Sequence, residues 1–284
     1  MKKQQVIVAL SGIVILVIFY FFGNTTPPHK KPTQTTTTET ARQSIDIKTI
    51  LDAEKVKLSP SKLSSVNRLE NAVVRGDVKN QQIAADRQLA EFWKDSAENG
   101  FLAYAYYTSE AAKLENSEKS LTFAAQLFLN NLRGQDNPAL KSWMSTESRD
   151  LFERAEVINP DNDSTKIGLG ATYIFGSTGE NPADVMKGIQ TILEVTRRDS
   201  LNMYAQLMLG LGGMESGQYD KAIGRLLKVV HFDPGNLEAI LSLGEAYEKT
   251  GNNASAKLWY SAAKKMTTNQ ELIDAIDERL KSLK

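Results

Sequence analysis

Residues 209–234 read LGLGGMESGQYDKAIGRLLKVVHFDP, and residues 243–268 read LGEAYEKTGNNASAKLWYSAAKKMTT. The second stretch repeats the first at a distance of 34 residues, so that Leu209–Gly210 recurs as Leu243–Gly244. In each stretch the apolar residues fall at helical spacing before and after a central glycine, which is Gly217 in the first. The pattern predicts a helical hairpin that recurs along the chain and buries its apolar face against the next hairpin.

The repeat continues towards the amino terminus. Gly188 and Ile192 stand 34 residues before Ala222 and Leu226, which predicts the second helix of a third hairpin. Its first helix holds Leu169–Gly170, which lies 40 residues before Leu209–Gly210. We therefore expect about six extra residues in the turn between 176 and 183, where an exposed loop tolerates insertion. Residues 152–160 match a fourth unit more loosely, with a first helix at 122–132.

The repeat resembles the tetratricopeptide repeat, or TPR, family. Phe232-Asp233-Pro234 closes one unit where that family places a hydrophobe and a proline, and Tyr247 holds its aromatic position. The resemblance is firm over Asp163 to Thr268. It implies an all-α, TPR-like solenoid of antiparallel helix pairs with a concave groove for a protein or peptide partner.

Composition divides the chain into five predicted segments. They are a transmembrane signal anchor at 1–22, a disordered Thr/Pro linker at 23–43, degenerate helical hairpins at 44–117, TPR repeats at 118–268 and a capping helix at 269–284. A separate small bundle is the alternative for 44–117. The cap is predicted because Leu272, Ile276 and Leu280 share one side of an otherwise charged helix.

The amino-terminal apolar run favours membrane anchoring. Val6–Phe22 follows Lys2 and Lys3 and is long enough to span a bilayer core of about 30 Å with its aromatic flank. It lacks the small-residue end of a cleaved signal, so we expect an uncleaved single-pass anchor. We expect the amino terminus in the cytoplasm and the repeats on the extracytoplasmic side, which in a Gram-negative cell is the periplasm.

The composition argues against several functional classes. Lysine plus arginine equals aspartate plus glutamate at 34 each, so no net charge attracts nucleic acid. The chain has no cysteine, which excludes disulfides and lipid attachment at cysteine. Its two histidines, His29 and His231, have no motif partners, and we expect neither a metal site nor a cofactor.

Three short patterns resemble ligand sites without completing them. Gly168-x-Gly170 and Gly210-x-Gly212-Gly213 lack the strand and lysine of a phosphate loop, so we interpret them as helix-crossing positions. Asn159-x-Asp161-x-Asp163 lacks the turn glycine and final glutamate of a calcium loop, so we interpret it as a turn with a helix cap. We therefore expect no small-molecule substrate and no enzymatic activity.

The TPR resemblance implies twelve partner-binding positions on the first helices. They are Ile167, Ala171, Ile174, Phe175, Tyr204, Leu207, Leu211, Met214, Glu238, Leu241, Glu245 and Glu248. The early positions are apolar and suit an amphipathic helix or a hydrophobic peptide, whereas the last are acidic and lack the cations of a carboxylate clamp. The alternative is that other helices of the chain cover the apolar stripe and make it core.

Three functions remain open at this point. The first is a membrane-tethered adaptor for envelope protein-complex assembly. The second follows from the layout of anchor, linker and repeats, which resembles cytochrome c maturation proteins that present an unfolded apoprotein to a ligation machinery. The third is an enzyme whose site lies near Phe92, Trp93, Tyr104 and Tyr107, although their helical spacing favours a core.

Overall fold

Thirteen α-helices follow one another in the residues that the computed structural model describes, which are 45–75, 78–95, 100–177 and 182–283. They are α1 (Ile47–Val56), α2 (Pro60–Arg75), α3 (Lys79–Lys94), α4 (Phe101–Glu115), α5 (Glu118–Leu132), α6 (Pro138–Ile158), α7 (Asp163–Phe175), α8 (Pro182–Arg198), α9 (Met203–Glu215), α10 (Tyr219–Phe232), α11 (Leu237–Lys249), α12 (Asn253–Met266) and α13 (Gln270–Ser282). These residues contain no strand, and the predicted all-α solenoid is confirmed.

The helices pack in consecutive pairs. From α3 to α12, each odd-numbered helix packs most extensively on the even-numbered helix that follows it, and each even-numbered helix also packs on the next odd-numbered one. The first helix of each pair also contacts the first helix of the next pair, in the order α5, α7, α9 and α11. We call the side where these four helices meet the first-helix face.

Backbone geometry confirms the 34-residue register. Gly217 and Gly251 both adopt positive φ angles, of 70° and 77°, in the turns that follow α9 and α11. In the first turn the amide of Gln218 donates to the carbonyl of Gly213 at 2.8 Å, and the equivalent bond in the second turn has the same length. Glycine recurs here because residues with a Cβ atom rarely adopt this conformation.

Two further glycines recur where the helices of a pair cross. A Cβ atom at Gly210 would lie 2.9 Å from the Leu226 side chain, and one at Gly244 would lie 2.7 Å from the Tyr260 ring. Gly168 and Gly170 likewise leave no room for a Cβ atom, because it would meet the Phe152 ring and the Gly188 carbonyl. The crossing-position interpretation of these glycines is therefore correct.

The insertion between α7 and α8 differs in part from the prediction. The connection spans 176–181 whereas 216–218 connect α9 and α10, so the turn is longer as expected. However, α8 has 17 residues and α10 has 14. Part of the insertion therefore extends the second helix, because helical residues add backbone hydrogen bonds that a longer loop would not.

Residues 44–284 form one compact unit with three apolar clusters. The largest runs from α4 to α11, a second joins α1 to α4, and a third joins α11 to α13. In α13, Ile276 is buried and Leu272 and Leu280 are half-buried, as the amphipathic pattern predicts. This helix therefore packs its apolar side against the preceding helices.

The predicted anchor and linker, 1–22 and 23–43, lie outside the described residues. Within the described ranges, no helix combines the length and the apolar character needed to cross a membrane.

Candidate functional site

The twelve predicted partner-binding positions lie on α7, α9 and α11, and six of them are buried. The buried ones, all apolar, are Ile167, Ala171, Ile174, Phe175, Leu207 and Leu211. They belong to α7 and α9, which pack against each other and against neighbouring first helices. At these six positions the predicted open groove is wrong, because other parts of the chain bury the side chains.

Most of the helix α7 is buried. Ten of its 13 residues are buried, from Thr165 to Phe175 with only Lys166 half-buried among them. Because α5 packs on one side of it and α9 on the other, α7 has little surface left for binding. The alternative expectation, that the apolar stripe is core, holds for this part of the face.

One arginine crosses the first-helix face. Arg133, which directly follows α5, donates a hydrogen bond from Nη1 to Oε1 of Glu238 in α11 at 2.7 Å. Its Nε lies 3.6 Å from a carboxylate oxygen of Glu215 at the end of α9. Its guanidinium carbon also lies 5.5 Å from the ring centre of Phe175, the last residue of α7. A single side chain thus contacts three successive first helices.

A second contact crosses the same face. The hydroxyl of Tyr204 in α9 donates to Oε1 of Gln126 in α5 at 3.2 Å. Gln126 and Arg133 are seven residues apart, and two helical turns bring them to the same side of α5. Gln126 and Arg133 were not among the positions predicted from the sequence. Those positions came only from the three best-matching units, whereas α5 belongs to the looser fourth unit.

The acidic end of the face is more accessible. Glu238 and Glu245 are exposed, and Leu241 lies half-buried between them on α11. Glu238 is paired with Arg133, whereas Glu245 has no ion-pair partner among the described residues. Glu245 and Leu241 therefore offer a free carboxylate beside an apolar side chain.

Glu248 is held by its own chain. It accepts a hydrogen bond from the Tyr260 hydroxyl at 2.9 Å and pairs with Arg279 at 3.2 Å. Burial raises the pKa of Tyr260, and the hydrogen bond to the carboxylate adds to the rise. Glu248 thus helps join α11 to α12 and α13.

A groove separates α3 from α5, with α4 as its floor. It has a volume of about 390 Å³, and its lining combines small and aromatic residues, such as Ala111 and Tyr104, with the charged residues Arg87, Glu91, Lys94 and Glu115. At its rim Nη2 of Arg87 lies 2.7 Å from Oε2 of Glu115.

The aromatic residues considered for an enzyme site are part of the amino-terminal core. Trp93 and Tyr107 are buried, and Phe92 and Tyr104 are half-buried against them. The Tyr107 hydroxyl donates to Oε1 of Glu70 at 2.6 Å, and burial together with this bond raises its pKa. The helical-spacing argument for a core is therefore correct.

Beside this core lies a buried carboxyl group. Asp86 in α3 is 2% exposed, and burial raises the pKa of its side chain to about 7, with a further contribution from Glu110. Glu110 itself pairs with Lys113 at 2.9 Å, and Lys113 also pairs with Glu147 at 2.7 Å. Ionisation of Asp86 therefore lowers the stability of the folded protein.

No group of histidine, cysteine or acidic side chains within the described ranges could hold a metal ion. The calcium-like stretch is a turn, as expected, and it ends in a helix cap. Oδ1 of Asn162 accepts hydrogen bonds from the amides of Ser164 and Thr165 at the start of α7. His231 is exposed in the last turn of α10, where its ring contacts Phe232 edge to face.

Comparison with known proteins gives a family match for part of the chain. Residues 213–278 match the model of the tetratricopeptide repeat. The crystal structure of MamA protein is similar at 16% identity and a TM-score of 0.42, over 65% of this chain and 91% of that one. The crystal structure of YrrB, described as a TPR protein with an unusual peptide-binding site, is similar at 15% identity and a TM-score of 0.41, over 74% of this chain and 97% of that one.

A search of curated proteins gives no match. The family match begins near the end of α9 and reaches into α13, so it spans the helices that carry the 34-residue period and the acidic positions. The segment 213–278 is therefore similar to the tetratricopeptide repeat.

Proposed function

We propose that this protein is a scaffold that binds a protein or peptide partner, and that the binding surface is the acidic end of the first-helix face. The observation that carries the proposal is the pair of neighbours Glu245 and Leu241 on α11. One is an exposed carboxylate without an ion-pair partner among the described residues, and the other is a half-buried apolar side chain. Together they fit a segment that places a cation beside an apolar residue.

The proposed binding surface is smaller than the groove predicted from the sequence. The four predicted positions of α7 and two of the four of α9, Leu207 and Leu211, are buried by the protein itself, so they contribute stability and not binding. Met214 at the end of α9 is half-buried, and its flexible thioether suits contact with varied apolar side chains. We thus expect a short, basic and partly apolar segment as partner, and no catalysis.

A displayed peptide library tests this function. Selection on the wild-type protein should enrich peptides in which arginine or lysine neighbours an apolar residue, and Glu245→Lys should lose those peptides through like-charge repulsion. Glu194→Lys is the matched control, because it makes the same charge change on the exposed side of α8. Enrichment of acidic peptides, or equal losses in both variants, would contradict the proposal.

We also propose that residues 6–22 tether the scaffold to a membrane, where it would serve the assembly of envelope protein complexes. The proposal rests on the apolar run in the sequence alone. After alkaline carbonate washing the protein should remain with the membrane pellet. A mature amino terminus near Gly23 would show instead that the run is a cleaved signal.

A further inference from the structure

The side chain of Arg133 lies in a site made by three other helices. The Phe175 ring supplies an aromatic surface, and Glu215 and Glu238 supply carboxylates at 3.6 Å and 2.7 Å from guanidinium nitrogens. An aromatic ring combined with two carboxylates binds a guanidinium through both cation–π attraction and charge-assisted hydrogen bonds. The site is therefore chemically matched to arginine and not to a generic basic group.

Arg133 reaches this site from a distant part of the chain. It is separated from Glu238 by 105 positions, and it belongs to the end of α5, whereas the three groups that bind it end or begin α7, α9 and α11. The site therefore does not require Arg133 in order to exist. The helices that carry its ring and its carboxylates, α7, α9 and α11, pack directly on one another.

We propose that Arg133 is an intramolecular occupant of an arginine-binding site, and that an arginine of the partner displaces it. This inference rests on the proposed function and specifies the partner chemistry for the same face. The partner's guanidinium takes the position over Phe175 between the two glutamates, while the side chain of Arg133 rotates into solvent.

The contacts of Arg133 are weak enough to be exchanged. The Arg133 side chain is 31% exposed, and each glutamate side chain is 51% exposed. Ion pairs with this exposure contribute little to stability, so the site opens at a small cost. An occupant that must first be displaced lowers the apparent affinity for a competitor by the fraction of open sites. Removing Arg133 should therefore strengthen partner binding about threefold to tenfold.

The neighbouring acidic position determines the spacing of the partner's cations. Glu245 follows Glu238 by seven residues on α11, which is about 10 Å along a helix axis at 1.5 Å per residue. An extended peptide covers that distance in about three residues, at roughly 3.3 Å each. The partner segment therefore carries two arginines about three residues apart, with an apolar residue between them for Leu241.

The probe is a fluorescein-labelled peptide, Ser-Arg-Leu-Ser-Arg-Ser, and its binding to the full-length protein is measured by fluorescence anisotropy. A second peptide replaces both arginines with citrulline, which has almost the same shape but no charge. The proteins are wild type, Arg133→Met and the double variant Arg133→Met/Glu238→Gln. Arg154→Met is the matched control, since Arg154 forms an exposed ion pair with Asp150 within α6 and not on the first-helix face.

The proposal predicts that Arg133→Met binds the arginine peptide about threefold to tenfold more tightly than wild type does. The double variant and Arg154→Met should show no such increase in affinity over wild type. With the citrulline peptide, Arg133→Met should bind no more tightly than wild type does. Circular dichroism verifies folding of each variant, and Arg133→Ala replaces Arg133→Met if the latter fails to fold.

Two results would overturn the inference in different ways. Equal binding of the arginine peptide to wild type and Arg133→Met would show that Arg133 occupies no partner site, while the proposed scaffold function would stand. An equal gain for the citrulline peptide would show that removing Arg133 only exposes apolar surface. If no protein binds either peptide, both this inference and the proposed basic partner fail.

Discussion

Arg133 and Glu238 are 105 positions apart in the sequence, and their side chains meet at 2.7 Å across the first-helix face. The pair joins the end of α5 to the start of α11 and passes over the end of α7, where Phe175 is 3% exposed. The pair therefore links the first and the last of the four helices that form this face.

The first prediction concerns the strength of this pair. A double-mutant cycle with Arg133→Met and Glu238→Gln should give a coupling free energy of about 0.5 kcal/mol, because both side chains are partly solvated. Chemical denaturation of the four proteins measures it. A coupling above about 3 kcal/mol would mean that the pair is a fixed structural bridge, which no partner could displace.

The second prediction concerns the crossing of α11 and α12. Gly244→Leu should lower the free energy of unfolding by about 1 to 3 kcal/mol, because the added side chain must push the Tyr260 ring, which lies 2.7 Å from the Cβ position. Gly224→Leu is the matched control in α10, where no atom lies within 4 Å of that position. Thermal melting should place Gly244→Leu below wild type and Gly224→Leu at or above it. Equal melting temperatures would show that the crossing is not tight.

The third prediction separates core from groove. Leu207 and Leu211, both buried in α9, should unfold the protein when they are changed together to aspartate, since a carboxylate buried without a partner costs several kcal/mol. Leu258→Asp on α12 is the control, because that leucine is 66% exposed. Far-ultraviolet circular dichroism gives the result. If the Leu207→Asp/Leu211→Asp protein stays folded, these residues line an open apolar groove and are not core.

The fourth prediction is a pH dependence due to Asp86. Burial raises the pKa of this carboxyl group from 3.8 to about 7, so the folded protein holds the proton more tightly than the unfolded chain does. Its stabilising contribution is therefore complete below about pH 4 and is lost as the pH rises through 7.

Asp86→Asn tests this effect, because an amide of similar shape cannot ionise. At pH 8 the variant should be more stable than wild type by an amount on the order of a few kcal/mol, and near pH 4 the two should agree. Urea denaturation at both pH values measures the difference. Asp161→Asn, an exposed change in the turn before α7, should leave the pH profile unchanged. A wild-type profile in Asp86→Asn would show that another group is responsible.

Some features of the fold could be predicted from the sequence because they depend on local spacing. The turn glycines Gly217 and Gly251 have positive φ angles, and the crossing glycines Gly210 and Gly244 meet side chains of their own pair. Each of these constraints acts within one repeat, so a 34-residue period was sufficient to locate it. The alternation of first and second helices follows from the same period.

The state of the groove could not be predicted in this way. Ile167 and Leu211 occupy first-helix positions that the repeat assigns to a binding surface, yet both are fully buried. Whether such a position is open depends on how closely successive first helices pack, which is a relation between units and not within one. The sequence left both possibilities open, and packing of α5, α7 and α9 decided between them.

The sequence by itself determined the helix pairs, their register and the acidic character of α11, because these depend on residue type and on separations of up to 40 positions. Only the tertiary structure decided that Arg133 meets Phe175, Glu215 and Glu238. Those contacts join four first helices, and their distances depend on the accumulated rotation from one helix pair to the next. No repeat period encodes that rotation, because it arises from the sizes of the side chains packed between the helices.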